Sequence, residues 1–454
     1  MKQTMNRFCA TLLILALHVS AGLADTPVRP AVQVEEDIVR VEPPNNGAGP
    51  LWCYGAPLLV RSGERIFASI METSQDVPPL CNTRWRLWER TEKGWMVLHQ
   101  DERFRNREPC PLVLLGEETL LLSANSSTQP PGTQYGPCEP NVFRFGLATR
   151  SFPPVLELPR WEGTPRFTDH SYRGIGVDGE ARETLLFHID AENGRQYVSV
   201  RSKDGEWSSH GFIEFPIRSC YPQAALKNGA GHILAIGDIV EPTGEWRTFK
   251  KEKTGRDWDY VFRRLFYAWS PDVHTQLFHA PIEIDSVDAT AGHITNLDLW
   301  LDEDGRAFLL YLKQPVQNAL MRDRFFPDLK LIRSLECVVV NHGQVEKRMT
   351  LMTGGESLPG PDPHYARFHA MPDGSLYVVF TATFFSPDML DKVETRIQRI
   401  VPHISDSVTI PLHQPFRVFF TAAERGGSKP SRLLDLFGIG EDGDTLRYAC
   451  VQLE

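Results

Sequence analysis

Apolar residues in this chain come in short runs, alternating with polar positions and broken by polar turns that carry glycine. Seven segments repeat one design: an apolar strand, a Gly-containing turn, and a second apolar strand. They read "PLLVRSGERIFASI", "PLVLLGEETLLLSA", "YRGIGVDGEARETLLFHI", "PQAALKNGAGHILAIG", "LDLWLDEDGRAFLLYL", "ARFHAMPDGSLYVVFTA" and "LDLFGIGEDGDTLRYACV". Asp-Gly and Asn-Gly turns between alternating apolar runs are hairpin signals, because their left-handed backbone matches the twist of the flanking strands. The turn glycines are Gly63, Gly116, Gly179, Gly229, Gly305, Gly374 and Gly443, recurring every roughly 50 to 75 residues. Further strand-like runs fill the intervals, such as "RWRLWER" then "GWMVLHQ" and "RQYVSVRS" then "EWSSHGFIEF". No long amphipathic helix is read anywhere. Four strands per unit, seven times over, predict an all-β chain folded as a seven-bladed β-propeller of four-stranded antiparallel blades. The last hairpin reads as the first two strands of its unit. The ring is then closed between the termini, with "VEEDIVRVEP" supplying the missing outer strands.

Residues 1–24 pair Lys2 and Arg7 with the apolar run Phe8 to Leu17 and then small residues. That is the layout of a secretory signal peptide, and it places the chain outside the cytoplasm, secreted or periplasmic. Residues 25–454 are read as a single propeller domain, expected to be a monomer. The apolar run is too short to span a bilayer, so no membrane anchoring is expected. Without Lys2 and Arg7 the net charge of −10 becomes about −12, which excludes general nucleic-acid binding, since phosphate contact needs a positive surface. Cys53 and Cys81 are 28 residues apart, and so are Cys110 and Cys138. Equal spacing in an exported chain predicts one disulfide in each of two successive units. Cys220, Cys337 and Cys450 leave an odd thiol.

A propeller turns chain position into spatial position. Residues just before each innermost strand, and just after each second strand, gather on one face around the channel, and the Gly turns lie on the other. On that face fall Asp169, His170, Ser171 and Tyr172, then His188 and Asp190. The next unit brings Arg218 and Tyr221 from "IRSCYPQ", then Asp238 and Glu241. After these come His293 and Asn296 from "GHITNLD", Lys313, then His364, Tyr365 and Arg367, and finally Arg432. Two basic insertions, residues 247–264 with Arg247 and residues 313–333, belong to the same face. An acidic protein with basic, aromatic-rich loops beside its channel suits an anionic ligand. Trp52, Trp246, Trp258 and Trp269 are of a type that stacks on sugar rings, and equally of a type that packs between blades.

His exchanges protons near neutral pH, Tyr does so beside cations, and Arg grips a planar carboxylate with two parallel hydrogen bonds. Together they suit β-elimination from a uronate: Arg neutralises the acid, one group takes the adjacent C–H proton, and another protonates the leaving glycosidic oxygen. On these residues the chain resembles the sialidase-like, BNR-repeat β-propellers, and among them the propeller polysaccharide lyases that include ulvan lyases. The resemblance rests on the His170 and His188 pair, Tyr221 in "RSCYPQ", and His293, in that order. It implies that His170 and Tyr221 are the acid/base pair. His188, Arg218 or Arg247, and His293 would then bind carboxylate and sugar, with His364 and Arg432 on the same face. The implied partner is an anionic polysaccharide or oligosaccharide, and no cofactor is required. His188 with Asp190 or His293 would offer donors to Ca or Zn, but no close-spaced ligand motif calls for a metal. Two other readings fit the pattern: a non-catalytic glycan- or protein-binding propeller, and a sialidase-like hydrolase built on Arg218, Arg367 and Arg432.

Overall fold

In the computed structural model, residues 28–52, 55–148, 153–386 and 389–454 are described; the 1–24 segment and Cys53 lie outside them. Seven four-stranded antiparallel sheets form a β-propeller. The innermost strands of blades 1 to 7 are Leu59–Ser62, Leu112–Leu115, Arg173–Asp178, Ser219–Lys227, His293–Leu301, Asp362–Ala370 and Val418–Thr421. Their pattern follows from their position. Flanked on both faces by neighbouring blades, a strand such as Leu112–Leu115 is buried at every residue, so it reads as an unbroken apolar run. The core is therefore a set of layers between blades, for instance Phe187, Val198, Ala224, Ile233 and Phe266 between blades 3 and 4.

Six of the Gly hairpins are the first and second strands of their blades, as predicted. The seventh is not. Leu433–Ile439 and Thr445–Leu453 are the second and third strands of blade 7, and the first is the four-residue strand Val418–Thr421. A two-residue Asp-Gly turn serves any hairpin, so it does not reveal which pair of strands it joins. The N-terminal strand Pro30–Arg40 supplies the outermost strand alone, pairing with Thr445–Leu453 from Pro30↔Leu453 to Arg40↔Thr445. Glu36 on that strand reaches blade 1, accepting from Arg90 Nε and Trp95 Nε1 at 2.7 Å each. The ring is thus closed by hydrogen bonds and side chains from both ends of the chain.

The first-to-second strand connection of blade 7, residues 422–432, replaces a tight turn and plugs the channel opposite the predicted functional face. Its short turn Glu424–Gly426 contacts the inner strands of blades 2 to 5. Arg425 donates to Asp298 Oδ1 of blade 5 at 2.8 Å. Gly427 has φ +89° and lies against the Leu114 carbonyl. On the predicted face the two basic insertions carry short helices, Gly244–Thr254 and Ala319–Phe325, where loops were expected. They fold because Trp246, Phe249, Phe325, Phe326 and Leu329 bury one another around Met321. No helix among the described residues is long and apolar enough to cross a membrane.

Candidate functional site

A cavity of about 1250 Å³ opens on the face where the inner strands begin. His170, Arg218, Tyr221 and His293 all line it, together with Arg107, Tyr172 and Asp238. Blade 3 contributes a tight turn ahead of its inner strand. Ser171 N bonds the Thr168 carbonyl at 2.9 Å, Ser171 Oγ accepts from Thr168 N at 2.9 Å, and Tyr172 N bonds the His170 carbonyl at 3.1 Å. The turn sends Asp169 inward, where it is 3% exposed, and leaves His170 on the cavity wall. The Asp169 carboxylate sits 2.7 Å from His170 Nδ1. On its other side the His170 ring stacks on Tyr135 at 5.1 Å between centroids.

Blade 4 contributes Tyr221 through a bulge. Its inner strand shifts register between Cys220 and Gln223, and Tyr221 takes the left-handed region at φ +52°. A non-glycine residue held there costs on the order of 1–3 kcal/mol, so its surroundings must enforce it. They do so on two sides. Asn296 Nδ2 donates to the Tyr221 carbonyl at 2.8 Å, and the following Pro222 lies against Gly174, whose missing side chain makes room. The ring of Tyr221 meets Tyr172 at 4.5 Å and stands edge-on to Trp52 at 6.0 Å.

The two phenols are hydrogen-bonded to each other, and Arg107 bonds the Tyr172 oxygen. Burial, followed by the Glu108 carboxylate, pushes Tyr172 up to about 12, against the pull of Tyr221 and Arg107. Burial and the Tyr172 phenol push Tyr221 well above the ordinary range. Both are therefore phenols at neutral pH, and Tyr172 is the more acidic. The Arg218 guanidinium lies 5.7 Å from the Tyr172 ring centroid and is paired with Asp238. His293 closes the far wall edge-on to Phe262 at 5.8 Å. Burial, then the charges of Arg333 and Arg263, lower it to about 4, so its imidazole is neutral.

Other predicted residues fall elsewhere. His188 is fully buried behind the wall, between Trp161 and Phe167 at 5.4 and 5.3 Å, and burial drives its pKa well below the ordinary value. Arg247 is an exposed residue of the first helix and does not line the cavity. His364 lies outside the cavity, with Nδ1 2.7 Å from Arg333 Nη1 and Nε2 2.9 Å from Thr383 Oγ1. Arg432 is on the opposite face altogether, because it immediately precedes the second strand of blade 7 and not the first. Arg218, Arg367 and Arg432 therefore do not converge; Arg367 is buried, bonded to the Leu297 carbonyl and the Tyr365 hydroxyl.

The expected bridge Cys110–Cys138 is not formed. Cys110 is a buried thiol 3.8 Å from the Glu108 carbonyl, and Cys138 lies within hydrogen-bonding reach of Cys81 instead. Cys81 and Cys138 precede and begin the third strands of adjacent blades, so they meet across the blade boundary; Cys110 lies two strands inward. The expected Cys53–Cys81 bridge involves Cys53, which lies outside the described residues. Among the described residues, no group of three His, Cys, Asp or Glu side chains comes together to hold a metal ion.

No protein-family model matches the sequence, and no curated protein matches it. Among solved structures, the chain is similar to a polysaccharide lyase of family PL25, an ulvan lyase bound to a GlcA(1-4)Rha3S glycan. That match covers 92% of this chain and 96% of the other, at 10% identity and a TM-score of 0.53. The α-L-arabinofuranosidase Arb93A from Fusarium graminearum matches over 75% of this chain and 91% of its own, at 10% identity and a TM-score of 0.42. The β-propeller domain of the Trilobed protease from Pyrococcus furiosus matches over 87% and 94%, at 9% identity and a TM-score of 0.43. At 10% identity the likeness to the ulvan lyase carries the propeller fold alone.

Proposed function

We propose that the chain is a carbohydrate-active propeller, a polysaccharide lyase that cleaves a uronate-containing anionic glycan by β-elimination in this cavity. One observation carries the reading: a single cavity wall combines a His held by a carboxylate, two coupled phenols, and two arginines. With Nδ1 2.7 Å from the buried Asp169 carboxylate, His170 is suited to using Nε2 for a substrate proton. Tyr172 and Tyr221, protonated at neutral pH, are suited to giving a proton to the leaving glycosidic oxygen, and the shared hydrogen bond favours loss from Tyr172. The Arg218 N–H groups not spent on Asp238, with Arg107 behind Tyr172, suit the uronate carboxylate. Neutral His293 and Asn296 suit sugar hydroxyls. The shared fold with a lyase bound to a GlcA-containing glycan supports the same substrate class.

A non-catalytic glycan-binding propeller is the second reading, favoured by the burial that raises both phenols. Ultraviolet absorbance of unsaturated uronate, followed on a panel of uronate polysaccharides, separates the two. Absorbance that grows with time supports the lyase; binding without it supports the module.

A further inference from the structure

Trp258 lines the cavity but takes no part in the chemistry above. Of the four tryptophans with sugar-stacking potential, three are committed to packing. Trp52 stands against Tyr221, Trp246 packs with Phe326 at 5.6 Å, and Trp269 lies between His279 and His342 at 5.0 and 5.4 Å. Trp258 lines the cavity and is still 70% exposed.

The local backbone holds it there. Tyr260 pairs with Val240 in a two-stranded ladder, and Glu241 N bonds the Asp259 carbonyl at 2.9 Å. The Asp259 carboxylate accepts from Lys250 of the helix at 2.8 Å, and Lys250 also reaches Glu241 at 2.8 Å. One side of the indole meets the Tyr260 ring, with centroids 5.2 Å apart and planes 33° apart. An anchored indole in water is a cost that a ligand recovers. Its electron-rich face suits the C–H face of a pyranose, much as it suits the edge of another ring. The exposed Arg247 and Arg256 of the same insertion favour an anionic ligand beside it.

We infer that Trp258 is an outer sugar-binding subsite, on which a pyranose of the anionic glycan stacks as the chain leaves the cavity. This rests on the glycan-binding reading above and extends it beyond the reacting sugar. Chain length then sets affinity: a glycan long enough to reach Trp258 gains a contact that a short one lacks.

The test titrates wild type, Trp258→Ala and Trp258→Phe with ulvan, alginate and polygalacturonate, following tryptophan fluorescence. The same variants are then assayed on the polymer cleaved and on short oligosaccharides from its exhaustive digestion. The subsite predicts quenching in wild type that Trp258→Ala loses. It also predicts a KM for polymer raised about tenfold with kcat unchanged, no change on the short oligosaccharides, and partial rescue by Trp258→Phe. Polymer binding and KM equal to wild type in Trp258→Ala would overturn the subsite and leave the lyase standing. A wild type that neither binds nor cleaves any of the three polymers would overturn both.

Discussion

The proposed chemistry rests on single atoms: the Tyr172 oxygen, the Tyr221 oxygen beside it, and His170 Nε2. Tyr172→Phe removes one atom and no packing, so the account expects a folded protein with kcat lowered about 10²–10⁴-fold, the range of a lost proton donor. Steady-state rates beside a thermal melt check it, and an unchanged kcat would remove Tyr172 from the chemistry. Arg218→Lys keeps the charge near Asp238 but loses the fork that matches a carboxylate. It is expected to raise KM about tenfold more than it lowers kcat, as measured on the cleaved polymer. His170, Arg218, Tyr221 and His293 were legible in the sequence because each stands at the start of an inner strand, or just before one, where seven blades converge. His188 was misread because it pairs with Arg173 at the end of a second strand. Side chains there alternate between the two neighbouring blades, and both ring nitrogens of His188 are buried in the layer it faces. Arg107 lies in "RNREPC" a few residues before the inner strand of blade 2. The position rule covers it, but no neighbouring His or Tyr marked it as chemical.

At the scale of elements, the hairpin code fails where a blade departs from the tight turn. Blade 7 spends eleven residues, 422–432, on its first connection and so displaces Arg432 to the far face. That connection depends on Gly427, whose φ of +89° and contact with the Leu114 carbonyl leave no room for a Cβ. Gly427→Ala is expected to destabilise the fold by at least ~2 kcal/mol, through left-handed strain and the forced retreat of the plug. Denaturant unfolding measures this, and a variant as stable as wild type would contradict the plug's tight seating. The helix Gly244–Thr254 was illegible for a related reason. Its mean hydropathy is low and none of its residues is buried, so its order comes from tertiary contacts with the second insertion and not from its own periodicity.

For the whole molecule, the alternation of apolar runs and turns disclosed the blade number and ring closure, because every blade repeats the same burial problem. The acid response is also a property of the ensemble. Burial lowers His232 to about 3, lowers His293, His364 and His369 to about 4, and lowers His188 well below the ordinary range. Unfolding lets these imidazoles take up protons near pH 6.5, which the folded state refuses until about pH 4. Stability is therefore full above about pH 6.5 and falls as pH drops toward 4. Thermal melts across that window are expected to show a steadily falling midpoint, and a flat profile would show these histidines to be solvated. The central claim concerns the cavity, and one measurement reaches it most directly: ultraviolet absorbance of unsaturated uronate during incubation with uronate polysaccharides, for wild type, His170→Ala and Tyr172→Phe. The account predicts absorbance that rises with wild type and is lost in both folded variants. A wild type that binds the glycan without any rise, or variants as active as wild type, would contradict it.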